Sequence, residues 1–328
     1  MVARQPPDVK VSMIQITEDR ELGTHVIVPG VTAPLAGLRF SLAGPGRVGS
    51  SLARWAIAAG AELDTVAGRR AGGPAWPGGP EVAPLHALAS SGQDLLLIAV
   101  GDGAIAEVAG ELGRRPQARV ALHTSGILDA AALADLRQAG SAVGSLHPLK
   151  AFPEPLPDPA EARGVFFATD GDPAARDLAG RLAAAWEGFS AEVPADSRVL
   201  YHFAATLAAG GVTTLLAAAA EIAAQLGLPA AVTRGYLELA KGALAAAAQA
   251  LATGHPVAAA ITGPAARDDR DTLARHLEAL GRLAPGKLPL AMFLTLETLH
   301  QTGNSLSSAG RSVIDATPRA GAMLRGPV

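Results

Sequence analysis

The chain of 328 residues contains no cysteine. That excludes a disulfide scaffold, thiolate metal ligands and a cysteine nucleophile. Aromatic residues are scarce, at 4%, and charged residues make up 17%. Neither sign of charge dominates: Lys plus Arg is 27, Asp plus Glu is 30, and the net charge is −3. A dedicated nucleic-acid binder would carry a basic excess, so no nucleic-acid partner is expected. The opening stretch MVARQPPDVKVSMIQITEDRELG has early acids and no apolar core. A secretory signal is therefore not expected, and the expected location is cytoplasmic. Long charge-free runs are also rare. Phe203–Ala220 is one, long enough to span a bilayer. It is mostly Ala, Gly and Thr, which transfer weakly to lipid, so a helix buried within a soluble domain or dimer is expected rather than a membrane span.

What is present is apolar: hydrophobic residues reach 49%, enough for a sizeable core. The length suits one large or two ordinary domains. Residues 1–36 read as an extension with two short β-like runs. From Leu38 the text alternates. LRFSLAG, ELDTVAG, DLLLIAV, ARVALH, SAVGSLHP, GVFFATDG and FSAEVPA read as strands, and helical segments lie between most of them. DLLLIAV is the kind of run found in strands buried on both faces. The alternation predicts an α/β fold, a doubly wound parallel sheet over residues 37–194. After Val193 only helical text remains: Ser197–Leu226, Ala230–Thr253, Asp269–Leu283 and Leu288–Thr302, divided by Gly and Pro. An all-α domain over residues 195–304 and a tail over 305–328 complete the expected organisation.

The most informative segment is Gly44-Pro45-Gly46-Arg47-Val48-Gly49, a G-x-G-x-x-G between an apolar strand and a helix. Gly44 suits the tight turn, Gly46 close approach of a pyrophosphate, and Gly49 close packing of helix on strand. The helix start would offer N–H groups and a positive dipole end to the phosphates. An NAD site usually has an acid at the end of the second strand, on the ribose 2′-OH. Here that strand ends in Arg69-Arg70. Paired guanidiniums suit a 2′-phosphate, so the expected cofactor is NADP.

Ligands of open parallel sheets collect outside the carboxyl ends of the strands. Three further ends are legible. Val100, Gly101 and Asp102 follow one strand and are assigned to the dinucleotide, with Asp102 read chiefly as the N-cap of the next helix. His123-Thr124-Ser125-Gly126 follows another; Thr124 is assigned to the cofactor, and Ser125 is read as a hydrogen-bond donor to substrate or carboxamide. The third, Ser145-Leu146-His147-Pro148-Leu149-Lys150, puts His147 on a proline-fixed turn. His147 or His202 is the expected proton carrier. Lys150 and Arg267 are the expected anchors for a substrate carboxylate or phosphate. His123, His147 and His202 match no short zinc spacing, and Glu297-x-x-His300 lacks a second half, so no metal is expected.

AGPGRVG, AVGDGAI, HTSGIL, GSLHPLKAF, YHFAATLAAGG and ITGPAARDD occur in that order. Together, over about Leu38 to Thr302, they resemble an uncharacterised bacterial family. Its members have an N-terminal Rossmann-like NADP oxidoreductase domain and a helical C-terminal domain of unknown function, related to pyrroline-5-carboxylate reductases and 6-phosphogluconate or β-hydroxyacid dehydrogenases. The resemblance implies a homodimer through the helical domain and an active site in the cleft between domains. It implies an NADP(H)-dependent oxidoreductase acting on a small polar molecule at a C=O, C=N or C–OH centre. Two positions depart from the pattern: Gly210 stands where the family carries an asparagine, and Asp268 where it carries a glycine. The loss of an amide at Gly210 keeps a rival reading open, a non-catalytic dinucleotide-binding module serving as cofactor sensor or assembly subunit.

Overall fold

The computed structural model describes residues 33–69, 71–88, 92–114 and 118–303. The extension expected over residues 1–36 falls almost wholly outside them, as do Arg70 and the tail over 305–328. Two compact units divide between Leu207 and Ala208.

In the first unit, β1 (Arg39–Ala43), β2 (Glu62–Ala67), β3 (Leu95–Ile98), β4 (Val120–His123) and β5 (Ala142–Pro148) lie parallel. β6 (Phe166–Gly171) runs antiparallel to β5, and β7 (Phe189–Glu192) parallel to β6. The order across the seven-stranded sheet is β2-β1-β3-β4-β5-β6-β7. The sheet is therefore parallel, as expected, except at the β5–β6 pair. Parallel neighbours need a crossover that carries the chain back to the starting edge. The β5–β6 connection makes none: its one helical piece is a short 3₁₀ turn, Pro159–Ala162. It is spent instead on α1 (Arg47–Ala58), where Leu156 N donates to Ser51 Oγ at 2.8 Å and Trp55 Nε1 donates to Leu156 O at 2.9 Å.

The apolar runs read as doubly buried strands because successive side chains feed two separate cores. Leu95, Leu97, Val120 and Leu122 join Trp55, Leu178 and Trp186 under α1 and α4 (Pro173–Ala185). Leu96, Ile98 and Ala121 join Ile105, Val108, Leu133 and Leu136 under α2 (Asp102–Leu112) and α3 (Ala134–Gln138). Each fully buried leucine contributes about 1.5–3 kcal/mol of transfer free energy, and the period-2 split explains why no polar face interrupts these strands.

The helix expected over Ser197–Leu226 is interrupted. α5 (Arg198–Thr206) passes into a π-helical segment, Leu207–Gly211, and then into α6 (Val212–Gln225). Gly210 and Gly211 are poor helix formers and sit in the irregular turn. The second unit continues with α7 (Ala231–Ala252), α8 (Arg270–Leu283) and α9 (Leu288–Gln301). Leu277, Leu288 and Met292 form a small core, and Lys287 pairs with Glu221 of α6. None of the residues of α7 is buried. Asp268, the second departure from the family pattern, has φ +54. That left-handed conformation suits glycine and is tolerated by aspartate; here the carboxylate accepts from Arg270 Nη2 at 3.0 Å.

Candidate functional site

β1 has β2 on one side and β3 on the other, so the strand order reverses at its carboxyl end, the switch point where open sheets bind ligands. The glycine loop lies there. Gly44 has φ +95, and a Cβ on it would stand 2.7 Å from the Ala99 carbonyl oxygen and 2.8 Å from Val100 Cγ1. A Cβ on Gly49 would overlap the Gly44 carbonyl, so the helix can start this close to the loop only with glycine. At Gly46 the same construction meets nothing within 4 Å. Gly46 is also the N-cap of α1, with no side-chain hydrogen bond to the first turn. The first-turn N–H groups therefore face an open approach, a geometry that fits a pyrophosphate. Val48 packs against the core, and Pro45 Cδ stands 3.4 Å from a Cβ built on Gly68. Arg47 donates through Nη1 to the Pro153 carbonyl at 3.2 Å, tying the loop to the β5–β6 connection.

Arg69 is exposed just past the end of β2, the strand beside the glycine loop. Arg70 lies outside the described residues. Val100 and Gly101 precede α2, and Gly101, not Asp102, is its N-cap. Asp102 instead occupies the first turn, where a carboxylate is favoured by the helix dipole without capping it. The backbone of Thr124 donates to Ile98 O at 3.1 Å, which holds the β4 end against β3.

Over β4 and β5 the structure gathers a second group. His147 Nδ1 lies 3.0 Å from Tyr201 Oη, with the rings nearly perpendicular at 87°. The His147 and His202 ring centroids are 6.0 Å apart. Between them passes the Gly126 backbone: a Cβ there would stand 2.6 Å from His202 Cδ2 and 2.8 Å from His147 Nε2. Burial pushes the His147 imidazole down to about 4, with His202 and Arg198 adding to the effect. Burial pushes the Tyr201 hydroxyl up to about 12. At neutral pH both groups are uncharged.

The other expected residues have different surroundings. Ser125 is buried, and its Oγ accepts from Ile127 N at 3.2 Å and Leu128 N at 3.1 Å, so it shapes the turn after β4. His123 is buried too; its Nδ1 accepts from Ser125 N at 3.2 Å, and its Nε2 donates to the Asp129 carbonyl at 2.9 Å. With both nitrogens engaged and its basicity lowered by burial, His123 is a neutral structural residue. Lys150 pairs with Glu161 at 2.9 Å. Arg267 is exposed in the second unit.

Two residues of this group escape a reading by strand ends, Tyr201 and Arg198, and Gly126 has no role of its own in that reading. Arg198 is wholly buried and donates through Nη2 to the Ser125 carbonyl at 2.9 Å. Arg198, Tyr201 and His202 stand at i, i+3 and i+4 of α5, one helix face. That spacing of polar residues in apolar text was the available signal.

Residues 165–293 match a family described as a domain of unknown function, DUF2520. No curated protein matches the chain in sequence. Among solved structures, a Bacteroides fragilis protein described as a candidate NADP oxidoreductase is 18% identical, with a TM-score of 0.61 over 80% of this chain and 98% of that one. Plasmodium falciparum pyrroline carboxylate reductase, solved with NADP bound, is 13% identical, with a TM-score of 0.53 over 84% and 98%. An NADH-preferring ketol-acid reductoisomerase from an uncultured archaeon is 15% identical, with a TM-score of 0.54 over 88% and 94%. The resemblance read from the motifs therefore holds for the fold: a Rossmann-like sheet of the kind found in these oxidoreductases, followed by helices, with the DUF2520 match running from β6 into α9.

Proposed function

We propose that this chain is an NADP(H)-dependent oxidoreductase that acts on a C=O, C=N or C–OH centre of a small polar substrate. The observation that carries the reading is the glycine loop at the switch point, where only glycine fits at Gly44 and Gly49 and Gly46 leaves an open approach to the helix start. Bound there, the cofactor supplies or accepts the hydride. The chain holds the pyrophosphate with the first-turn N–H groups of α1 and sets His147 and His202 beside the reacting centre. Val100, Gly101, Asp102 and Thr124 line the path between. Lys150 and Arg267 remain the proposed anchors for an acidic group on the substrate; Lys150 would have to exchange Glu161 for it.

The cofactor preference rests on Arg69 and Arg70. A charge-assisted bond to a 2′-phosphate contributes about 1.5–3 kcal/mol, equivalent to roughly 10- to 150-fold in affinity. NADPH is expected to bind more tightly than NADH by that factor, and Arg69→Ala/Arg70→Ala to remove the difference. Fluorescence titration of both cofactors against both proteins checks it. Equal affinities in the wild type would refute the choice of NADP.

The reading includes a soluble cytoplasmic homodimer. By length and composition the run Ala195–Gln225 could cross a membrane, with mean hydropathy 1.7 and 6% of its apolar window buried within the chain. Leu200 is 72% exposed, Phe203 57% and Leu207 56%, and α7 adds exposed Leu237, Leu239, Leu244 and Leu251. Apolar faces of this kind are what an obligate interface covers, and such an interface buries about 2,000 Å² or more. Sedimentation at micromolar concentration without detergent is expected to show a dimer. A monomer, or a chain found only in the membrane fraction, would count against it.

Gly210 favours the second reading, a dinucleotide-binding module without catalysis, because the π-helical segment presents no side-chain amide there. NADPH binding without turnover across carbonyl and imine substrates would support that reading.

A further inference from the structure

Arg198 is 0% exposed, and its guanidinium has one partner among the described residues, the Ser125 carbonyl; Nε and Nη1 have none. A buried cation held by a single hydrogen bond costs stability. Its position is informative. The carbonyl it holds belongs to the residue before Gly126, whose backbone runs against both imidazoles. Its charge also acts on the Tyr201 oxygen.

A neutral imidazole carries one N–H, and the partner of one nitrogen decides which nitrogen keeps it. Tyr201 Oη is the partner of Nδ1. A phenol O–H is the stronger donor of the two groups and an imidazole nitrogen the stronger acceptor. A nearby positive charge favours lone pairs turned toward it and an O–H turned away, and Arg198 is the charge that acts on Tyr201. The proton of His147 then sits on Nε2, which has no partner among the described residues and lies beside Gly126, where any Cβ would intrude.

We propose that Tyr201 and Arg198 are positioning residues that fix His147 as an Nε2–H donor, aimed at an oxygen acceptor of the substrate, a carbonyl or carboxylate. The inference rests on the oxidoreductase reading for its substrate but not for its geometry. The groups that face His147 are Tyr201 and His202 of α5, Arg198 at its start, His123 of β4 and Asp102 of α2. Only Asp102 favours an imidazolium; burial, His202, Arg198 and His123 oppose it. His147 therefore works as a neutral donor rather than by cycling through a cation.

Long-range ¹⁵N NMR of the histidine rings in the full chain tests this, with and without NADPH. The wild type is expected to show His147 as the Nε2–H tautomer from about pH 5.5 to about pH 8. A Nδ1–H tautomer, or an imidazolium at pH 6, overturns the proposal. Tyr201→Phe, which keeps the ring and loses the hydroxyl, is expected to shift the tautomer ratio by about five-fold or more; an unchanged ratio overturns the role of Tyr201. Arg198→Met is expected to raise the His147 titration midpoint by about one unit, and Arg198→Lys to leave it low; a midpoint unmoved in a folded Arg198→Met overturns the role of Arg198. Should Arg198→Met not fold, Arg198→Gln serves as the neutral variant under the same criterion. NADPH titration on the same samples separates the two readings. Loss of NADPH binding with the expected tautomer defeats the cofactor assignment alone, and NADPH binding with the wrong tautomer defeats this inference alone.

Discussion

His147→Ala is expected to lower turnover by about 10²- to 10³-fold, the range for loss of a single donor to a developing oxyanion, while NADPH binds as in the wild type. The separation of effects follows from the sheet. β3 and β4 lie between the strand that carries the glycine loop and the strand that carries His147. Three strand spacings of about 4.8 Å, roughly 14 Å, therefore separate the two ends of the site. Among the described residues, none proposed to hold the pyrophosphate is a hydrogen-bond or ring partner of the imidazole. Single-turnover kinetics with NADPH in excess, beside a cofactor titration, check both halves. A variant with wild-type turnover, or one that loses NADPH binding in parallel with turnover, would remove His147 from the chemistry.

The strands were legible because burial on both faces forces a continuous apolar run, and nothing else in the chain looks like Leu95-Leu96-Leu97-Ile98. The glycine loop was legible for a related reason: each of its glycines answers a separate steric demand, and the demands recur wherever a helix start must meet a phosphate. The direction of β6 was not legible. A strand reads the same whichever way it runs, and the deciding feature is the missing crossover between Pro148 and Phe166. Residues there look like a long loop because their contacts go to Ser51 and Trp55, far away in sequence.

α5 shows a different limit. On a helix of a soluble domain, apolar residues are expected to face the core and polar ones the solvent. Here the arrangement is inverted. Arg198 is buried, and Tyr201 and His202 are half-buried against the carboxyl ends of β4 and β5. Val199, Leu200, Phe203 and Leu207 are exposed on the other side. Reading by hydrophobicity alone finds the helix and assigns its faces the wrong way round. The inversion is what brings Tyr201 to His147, and it leaves the apolar side for the proposed partner subunit. Ser125 has a second role that the sequence does not show, for a simpler reason. A serine after a strand can present its hydroxyl outward or turn it back onto the N–H groups two and three residues on, and the sequence is the same in both cases.

Acid is expected to destabilise the sheet unit before its carboxylates titrate. His147 has an ordinary value of 6.5 when unfolded and about 4 when folded, because burial opposes its charge and His202 and Arg198 add to that opposition. The folded form thus stays neutral while the unfolded form takes a proton. Above pH 6.5 neither binds one and the full stability is present. As pH falls from 6.5 toward 4 the unfolded state gains a proton the folded state refuses, and stability is lost. The loss approaches about 3 kcal/mol, at about 1.4 kcal/mol for each unit of difference. His123, also lowered by burial, acts with the same sign. Asp172, held below the ordinary carboxylate range by the Val143 N–H and Arg137 against the opposing effect of its own burial, contributes its loss only below about 4. The window between 6.5 and 4 therefore belongs to the histidines. Trp55, Trp76 and Trp186 are the chain's 3 tryptophans, and all lie in the first unit, so denaturant unfolding followed by tryptophan fluorescence reports on that unit. Between pH 7.5 and pH 5, settings on either side of an ordinary histidine value, the wild type should lose stability more steeply than His147→Gln, whose side chain cannot take the proton. Parallel profiles for the two proteins would show that His147 titrates as an exposed imidazole does, and would remove with it the neutral donor proposed for the site.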